Sequence, residues 1–235
     1  MDPNEIAKKI DHTLLKPNPS GVEFRRLFRK AFMHRFRAVC INTVVLDGMP
    51  FTTRKRLKKN GILIACVIDF PLGQGGYGNK HFAATIARDK RADELDVVWN
   101  IGAFLDDNYA DVLRELKPLA NVLPTKVIVE VGYILNAGCG PRKTKALLRD
   151  AVHLIRESGA FCIKDCTGFG PSVPVERRAE YIRLWKETEP GLLVKTASGI
   201  RTFEDARILL EAGADILGTS AGDKIMEEVT RSAKS

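Results

Sequence analysis

The sequence lacks any long hydrophobic run. A helix that spans a membrane needs about 20 consecutive apolar residues, and no stretch of these 235 residues approaches that length. The first residues, MDPNEIAKKIDHTLL, also lack the charged segment followed by an apolar segment that is typical of a signal peptide. We therefore predict a cytoplasmic protein that has no membrane partner.

Cysteine and histidine are scarce, and neither type is clustered. The chain has 5 cysteines and 4 histidines, and their spacing matches none of the CxxC, HxH or HExxH patterns of common metal sites. An odd number of cysteines in an intracellular chain also favours free thiols over a disulfide framework. We therefore expect no metal, no other cofactor and no disulfide.

Acidic residues are too few to balance the basic ones, so the net charge is +8. Basic residues are concentrated in segments 25–37 and 54–59. Such segments occur in nucleic-acid-binding surfaces, but they are also typical of the exposed faces of amphipathic helices. Because no nucleic-acid-binding motif accompanies them, we predict no nucleic-acid partner and a general attraction for anionic metabolites.

Apolar runs of strand length recur along the chain and alternate with helical patterns. Most of these runs are apolar throughout, as expected of parallel strands that are buried on both faces. Eight such runs in a chain of this length predict a single-domain (β/α)8 TIM barrel over residues 1–235. An open, doubly wound sheet is the alternative, but no GxGxxG motif follows a strand, and we interpret GQGGYG (73–78) as a flexible loop. The predicted strands cover residues 10–15, 36–42, 62–70, 94–102, 126–132, 161–168, 192–198 and 214–220.

Two of the predicted helices carry clear signals at their ends. Ser20 and Glu23 have the spacing of a capping box at the start of the first long helix. Residues 143–158 have an apolar stripe at helical spacing, and we expect Gly159 to end that helix.

Three charged residues, Asp96, Lys164 and Lys195, interrupt apolar strands. The active site of a (β/α)8 barrel lies at the carboxyl ends of its strands, and a buried charge is costly unless it is paired. A structural network of ion pairs would explain one such lysine. Two lysines on successive strands favour catalysis, because each positive charge makes the neutral, nucleophilic form of the other more accessible. We therefore predict a lysine nucleophile that forms a Schiff base.

Short loops with glycine and hydroxyl residues follow the last three predicted strands. Backbone N–H groups can approach an anion where side chains are small, and barrels often bind phosphate after strands seven and eight. Tight turns are the alternative explanation for the same residues. The predicted phosphate-binding residues are Thr167, Gly168, Ser198, Gly199, Gly218, Thr219 and Ser220.

Several short motifs, distributed along nearly the whole chain, resemble those of the deoxyribose-phosphate aldolase family. The resemblance implies a class I aldolase on a (β/α)8 barrel, which reversibly cleaves 2-deoxy-D-ribose 5-phosphate to D-glyceraldehyde 3-phosphate and acetaldehyde. It implies that Lys164 forms the Schiff base, that Lys195 and Asp96 assist it, and that the partners are a sugar phosphate and an aldehyde. The resemblance is also compatible with a homo-oligomer. The motifs are DHTLLKP (11–17), AVCIN (38–42), FPLG (70–73), ELDVV (94–98), NIGA (100–103), KVIVE (126–130) and GTS (218–220).

Three departures from the family pattern bear on the predicted site. Asp165 and Cys166 replace the small hydroxyl residues of the family's KTSTGFG, and Ser198 stands where its KASGGIR has a glycine. Because side chains alternate along a strand, we expect Asp165 to point toward the surrounding helices and away from Lys164. The departures leave two alternatives: a class I aldolase or lyase that acts on another phosphorylated aldehyde, and a non-catalytic barrel that binds sugar phosphate or RNA.

Overall fold

The chain folds into a closed barrel of eight parallel strands, in a computed structural model that describes residues 2–232. The strands follow one another around the barrel in chain order, and β8 pairs with β1 to close it. The predicted (β/α)8 barrel is therefore confirmed. The strands are β1 (Ile10–Leu14), β2 (Ala38–Asn42), β3 (Leu63–Ile68), β4 (Glu94–Val98), β5 (Thr125–Ile128), β6 (Cys162–Lys164), β7 (Leu193–Ala197) and β8 (Ile216–Thr219).

Helices follow each strand and surround the barrel. The two sequence signals at helix ends are confirmed: the Ser20–Glu23 capping box opens α2, and Gly159 has a φ of +81° just after α9. The helices are α1 (Pro3–Ala7), α2 (Gly21–His34), α3 (Val45–Gly48), α4 (Phe51–Lys59), α5 (Gly76–Asp89), α6 (Ile101–Leu105), α7 (Tyr109–Ala120), α8 (Val131–Leu135), α9 (Gly140–Glu157), α10 (Val175–Thr188), α11 (Phe203–Glu211) and α12 (Gly222–Ser232).

Several predicted strands are too long at their carboxyl ends. The predicted strand 126–132 ends at Ile128, and its last two residues open helix α8. The predicted strand 161–168 is paired only over Cys162–Lys164. The predicted loop GQGGYG is also shorter than expected, because α5 begins at Gly76. An apolar run does not by itself distinguish a strand from the short helix that follows it.

Most of the hydrophobic core lies between the barrel and the helices. Outward-facing strand residues such as Val39, Val97 and Leu217 pack there against the apolar faces of the helices. Inside the barrel a smaller apolar cluster contains Cys40, Ala65 and Val67. The rest of the interior includes buried charged side chains, which is unusual because barrel interiors are dominated by branched apolar residues.

The basic segments are largely exposed helix surface, as predicted. Segment 54–59 lies within α4, and most of segment 25–37 lies within α2, with its arginines facing solvent. Arg37 is the exception, because it turns into the bottom of the barrel and binds Asp11 and Glu94.

The other composition-based expectations concern cysteines, metals and membranes. All five cysteines are free thiols, as predicted. Within residues 2–232 there is no group of three or more His, Cys, Asp or Glu side chains that could hold a metal ion. None of the helices described over the same residues combines the length and the apolar character that a membrane span requires.

Candidate active site

The strand register places the two predicted lysines side by side. Lys164 on β6 pairs directly with Lys195 on β7, and both side chains point into the barrel. One oxygen of Asp96, Oδ2, accepts a hydrogen bond of 2.8 Å from each Nζ atom. Asp96 and Lys195 are 0% exposed, and Lys164 is 2% exposed. The two lysines that the sequence singled out therefore share the buried carboxylate of the third residue, Asp96, toward the carboxyl ends of the strands.

A third lysine, Lys126, binds the other oxygen of the same carboxylate. Its Nζ atom lies 2.9 Å from Asp96 Oδ1 and 2.6 Å from Glu94 Oε2. The sequence analysis did not single out Lys126, although the residue opens the strand motif KVIVE. A signal was present, because an isolated charge in an apolar strand at the same alternation as Asp96 indicates an inward-facing partner.

Asp11 is a second residue that the sequence analysis missed. It lies on β1, the strand that pairs with β8 to close the barrel, and its carboxylate binds Lys195. Its Oδ2 atom is 2.5 Å from Lys195 Nζ, and its Oδ1 atom is 2.8 Å from Arg37 Nη1. Asp11 is 0% exposed, so Lys195 is enclosed between the carboxylates of Asp11 and Asp96.

The surrounding cations keep both carboxylates ionised. Burial acts to raise the pKa of Asp11, but Lys195, Lys126 and Arg37 outweigh it and bring this pKa to about 2. Burial opposes ionisation of Asp96 as well, yet Lys126, Lys164 and Lys195 hold its pKa well below the usual range. These carboxylates are therefore negatively charged at neutral pH.

The carboxylates in turn hold two of the lysines in the charged form. Burial acts to lower the pKa of Lys195, but Asp11 and Asp96 raise it well above the usual range. For Lys126 the pKa is raised too, because Asp96, Asp11 and Glu94 outweigh burial and the repulsion of Lys195. Lys195 and Lys126 are thus fixed cations in this cluster.

Lys164 differs from the other two lysines in its contacts. Its ammonium group contacts a single carboxylate oxygen, whereas Lys195 and Lys126 each bind more than one acidic side chain. It is also the last residue of β6, at the point where the barrel opens into the βα loops. A small electrophile that enters from the mouth would reach this amine with the fewest bonds to break.

The predicted phosphate-binding residues are divided between the rim and the barrel wall. Gly168, Ser198, Gly199 and Ser220 are exposed at the mouth. The loops after β6 and β7 touch, since a Cβ atom built on Gly168 would lie 2.9 Å from Ser198 Oγ. Within residues 2–232, no atom accepts a hydrogen bond from the backbone N–H groups of residues 198–200. The rim therefore offers free donors to an anion.

Gly218 and Thr219 lie within β8 rather than in the loop after it. A Cβ atom on Gly218 would lie 2.8 Å from that of Ala197 and 3.3 Å from Lys195 Cε, so this glycine makes room for the Lys195 side chain. The Thr219 hydroxyl donates to Ile200 O (2.7 Å). The Thr167 hydroxyl similarly donates to Glu130 Oε2 (2.5 Å). Both hydroxyls shape the loops.

Asp165 points outward, as strand alternation predicted. Its carboxylate is 0% exposed and binds Arg178 and Tyr181 of helix α10. Cys166 donates from its Sγ atom to Ala197 O at 3.0 Å, and burial raises the pKa of this thiol well above its usual range. Both departures from the family pattern therefore bind the barrel wall around β7 and α10.

Curated relatives and solved structures resemble the chain over nearly its full length. The deoxyribose-phosphate aldolase of Dictyoglomus turgidum is 37% identical over 230 residues, covering 96% of this chain and 98% of its own. That of Thermoanaerobacter sp. (strain X514) is 36% identical over 229 residues, covering 95% of this chain and 96% of its own.

The solved structures agree with these relatives. An aldolase named QR15 has a TM-score of 0.83 at 34% identity, with 97% of both chains covered. The tetrameric deoxyribose phosphate aldolase of Aeropyrum pernix has a TM-score of 0.79 at 30% identity, with 97% of this chain and 92% of its own covered. No protein-family model matches the sequence. With a barrel of this topology, a buried lysine cluster and relatives above 30% identity along the whole chain, the protein belongs to the deoxyribose-phosphate aldolase family of lyases.

Proposed function

We propose that the chain reversibly cleaves 2-deoxy-D-ribose 5-phosphate to D-glyceraldehyde 3-phosphate and acetaldehyde through a Schiff base on Lys164. The observation that carries this proposal is the single carboxylate oxygen, Asp96 Oδ2, that binds both Lys164 and Lys195. The two Nζ atoms can be no farther apart than the sum of those two contacts. A fixed cation therefore stands beside the amine that must give up its proton to become a nucleophile.

The substrate phosphate binds at the rim, where residues 198–200 offer free backbone N–H groups and Ser220 is exposed. These donors lie in the loops after β7 and β8, which are a common phosphate site in (β/α)8 barrels. Binding there orients the C1 aldehyde toward Lys164, so that part of the entropic cost of the reaction is met before bonds change.

Imine formation preserves the charge balance of the cluster. The neutral Lys164 amine attacks C1, water leaves from the carbinolamine, and the protonated imine carries a positive charge where the ammonium group was. Asp96 stabilises this cation as it stabilised the ammonium. The iminium then accepts the electron pair of the C2–C3 bond as that bond breaks, and the C3 hydroxyl loses its proton to become the new aldehyde.

Asp96 becomes a better base as the C2–C3 bond breaks. When the iminium turns into a neutral enamine, Asp96 loses one of the three cations that lower its pKa. Its affinity for a proton therefore rises when the C3 hydroxyl must release one. The proton that Asp96 accepts then passes to C2 of the enamine through Lys195, which Asp11 and Asp96 hold as an ammonium before and after the transfer, and acetaldehyde leaves when water hydrolyses the resulting iminium.

Reduction of the imine tests this proposal directly. Incubation with acetaldehyde and borohydride should add an ethyl group to the peptide that contains FCIKDCTGFG, and peptide mass mapping should place it on Lys164. The Lys164→Met variant should show no adduct. An adduct on Lys195 would reverse the two roles. Tight sugar-phosphate binding without any adduct would instead support a non-catalytic binding barrel.

Ser198 favours one second candidate, a class I aldolase for another phosphorylated aldehyde. This serine has a φ of +71°, a backbone conformation in which glycine is far more common, and its side chain lies against Gly168. The phosphate loop is therefore bulkier than that of a glycine-containing relative. A panel of sugar phosphates, assayed for aldehyde release, should separate the two candidates by their relative kcat/KM values.

A further inference from the structure

Beyond the end of β6, a side chain replaces the backbone as the hydrogen-bonding partner of β7. The ladder between β6 and β7 finishes at the pair Lys164–Lys195, but β7 continues to Ala197. There the backbone N–H of Ala197 donates to Asp165 Oδ1 at 2.8 Å. The carboxylate of Asp165 thus extends the contact between the two strands beyond the last paired residue.

One guanidinium group binds both this carboxylate and the loop that follows β7. From helix α10, the Nε and Nη2 atoms of Arg178 donate to Asp165 Oδ2 at 3.1 and 2.8 Å. Nη2 also donates to Ala197 O at 2.6 Å, and Nη1 donates to Ser198 O at 2.7 Å. A planar guanidinium can hold several acceptors in one fixed arrangement, which an ammonium group cannot.

The pair is buried, and both oxygens of Asp165 accept hydrogen bonds. Asp165 is 0% exposed and Arg178 is 4% exposed. The hydroxyls of Tyr181 and Thr196 also donate to Asp165 Oδ2, at 3.0 and 2.5 Å. Such a network has one arrangement of lowest energy, because any shift would leave a buried polar group without a partner.

The segment held by Arg178 has a conformation that needs support. Ser198 and Gly199 have φ values of +71° and +69°, and a left-handed conformation is unfavourable for serine. The contact from Arg178 Nη1 to Ser198 O fixes the first of these two residues. The free N–H groups of residues 198–200 are therefore displayed by a segment that the pair anchors at its start.

We propose that Arg178 and Asp165 are positioning residues that hold the loop after β7 in the conformation that binds the substrate phosphate. The inference rests on the function proposed above, in which that loop binds the phosphate. Their side chains lie outside the barrel, whereas the Lys164 amine lies inside it and binds Asp96. Loss of the pair should therefore weaken recognition of the phosphate and leave the chemistry at Lys164 nearly unchanged.

The test compares 2-deoxyribose 5-phosphate with unphosphorylated 2-deoxyribose in the wild type and in Arg178→Lys. The lysine keeps the charge but cannot hold Asp165 and Ser198 together. We expect KM for the phosphorylated sugar to rise about tenfold, the size of one hydrogen bond to a charged group, with kcat changed by less than about twofold. The kcat/KM value for 2-deoxyribose should also stay within about twofold.

A second variant guards against a simple folding defect. Asp165→Thr combined with Arg178→Met removes both charges and restores the family's hydroxyl residue, so that no buried charge is left unpaired. Circular dichroism and thermal unfolding confirm that each variant is folded before kinetics are measured. The double variant should show the same increase in KM for the phosphorylated sugar alone.

Lys186→Met is the matched control. Lys186 lies on the same helix and binds Asp215, whose carboxylate accepts the Val194 N–H at the opposite end of β7. This variant should lower the melting temperature without separating the two substrates.

The outcomes distinguish this inference from the proposed function. If the wild type itself does not prefer the phosphorylated sugar, the proposed function fails and the inference fails with it. If the wild type prefers it but Arg178→Lys leaves KM unchanged, or weakens both substrates equally, the inference alone is overturned.

Discussion

Two buried ionic clusters lie back to back on the barrel wall at β6 and β7. The inner cluster contains Lys164 and Lys195, which share Asp96. The outer cluster contains Asp165 and its partner Arg178. Lys164 and Asp165 are adjacent in the sequence, and strand alternation alone sends one into the barrel and the other toward the helices.

The two clusters differ in the cation that each uses. A lysine can lose its proton and form a bond to carbon, whereas an arginine stays charged and holds a planar set of donors. The inner cluster distributes three carboxylates, those of Asp11, Glu94 and Asp96, among three lysines, so its bonds can rearrange as charge moves. In the outer cluster, a single guanidinium group donates to Asp165 through two nitrogen atoms, which fixes the geometry of the pair. The comparison teaches that reactivity and fixed geometry call for different cations, even one residue apart.

The largest effect should come from Asp96→Asn, which removes the carboxylate that holds the inner cluster together. Three ammonium groups would lose a common partner. We expect turnover to fall by about 10²–10⁴-fold and the free energy of unfolding to fall by about 3–5 kcal/mol. Steady-state kinetics and urea denaturation measure the two effects.

Glu94→Gln is the control for Asp96→Asn, since Glu94 binds Lys126 and Arg37 at the amino-terminal end of the barrel. It should cost stability with a much smaller loss of turnover. Equal losses of turnover in the two variants would mean that Asp96 and Glu94 contribute equally to catalysis, contrary to this prediction.

Lys195→Leu should have the next largest effect, because it removes the fixed cation beside Lys164. We expect turnover near neutral pH to fall about 100-fold. Single-turnover imine formation should slow to a similar extent, and quenching the reaction with borohydride at successive times measures it.

The matched variant is Lys126→Leu, because Lys126 is equally buried but binds Asp96 through Oδ1. It should slow imine formation less than Lys195→Leu does. An unchanged rate of imine formation in Lys195→Leu would limit Lys195 to proton transfer or phosphate contact.

A smaller effect on stability is expected at His12, a buried residue that faces outward from the barrel. In contrast to the hydrogen-bonded Asp165–Arg178 pair, its ring has a nitrogen atom, Nδ1, that lacks a hydrogen-bond partner within residues 2–232. Burial lowers the pKa of His12 from 6.5 to about 4, with Lys30 and His34 adding to the shift while Asp223 and the Thr219 backbone oppose it. The unfolded chain therefore binds a proton near pH 6.5, and the folded chain only near pH 4.

The folded state should accordingly lose stability as the pH falls from about 6.5 to about 4. Between pH 7 and pH 5 the loss due to His12 should be about 2 kcal/mol, measured by urea denaturation at each pH. His12→Gln should remove this part of the acid sensitivity. An identical pH dependence in the wild type and His12→Gln would refute the assignment.

The smallest expected effect is that of chelation. In the proposed mechanism the iminium on Lys164 supplies the electrophile, and the inner cluster needs no metal to stabilise charge. Activity should therefore survive exhaustive EDTA treatment. A large loss that zinc or another divalent ion restores would exclude the Schiff-base mechanism and assign the carboxylates a different role.

The sequence by itself determined the features that depend on local periodicity. The order of strands and helices, the capping box at Ser20 and the opposite directions of Lys164 and Asp165 follow from spacing over a few residues. The proximity of Asp96, Lys164 and Lys195 followed from the rule that the carboxyl ends of barrel strands meet at one face.

Only the tertiary structure decided which charges meet inside the barrel. Asp11 and Lys195 are 184 positions apart, and they touch because β8 pairs with β1 and closes the sheet. Lys126 joins the cluster because the register between β4 and β5 pairs it with Asp96. Arg37 joins it by binding Asp11 and Glu94. Arg178 reaches the loop after β7 because α10 packs against β7. Local spacing tells which face a side chain takes, but only the closed barrel sets which partners share a carboxylate there.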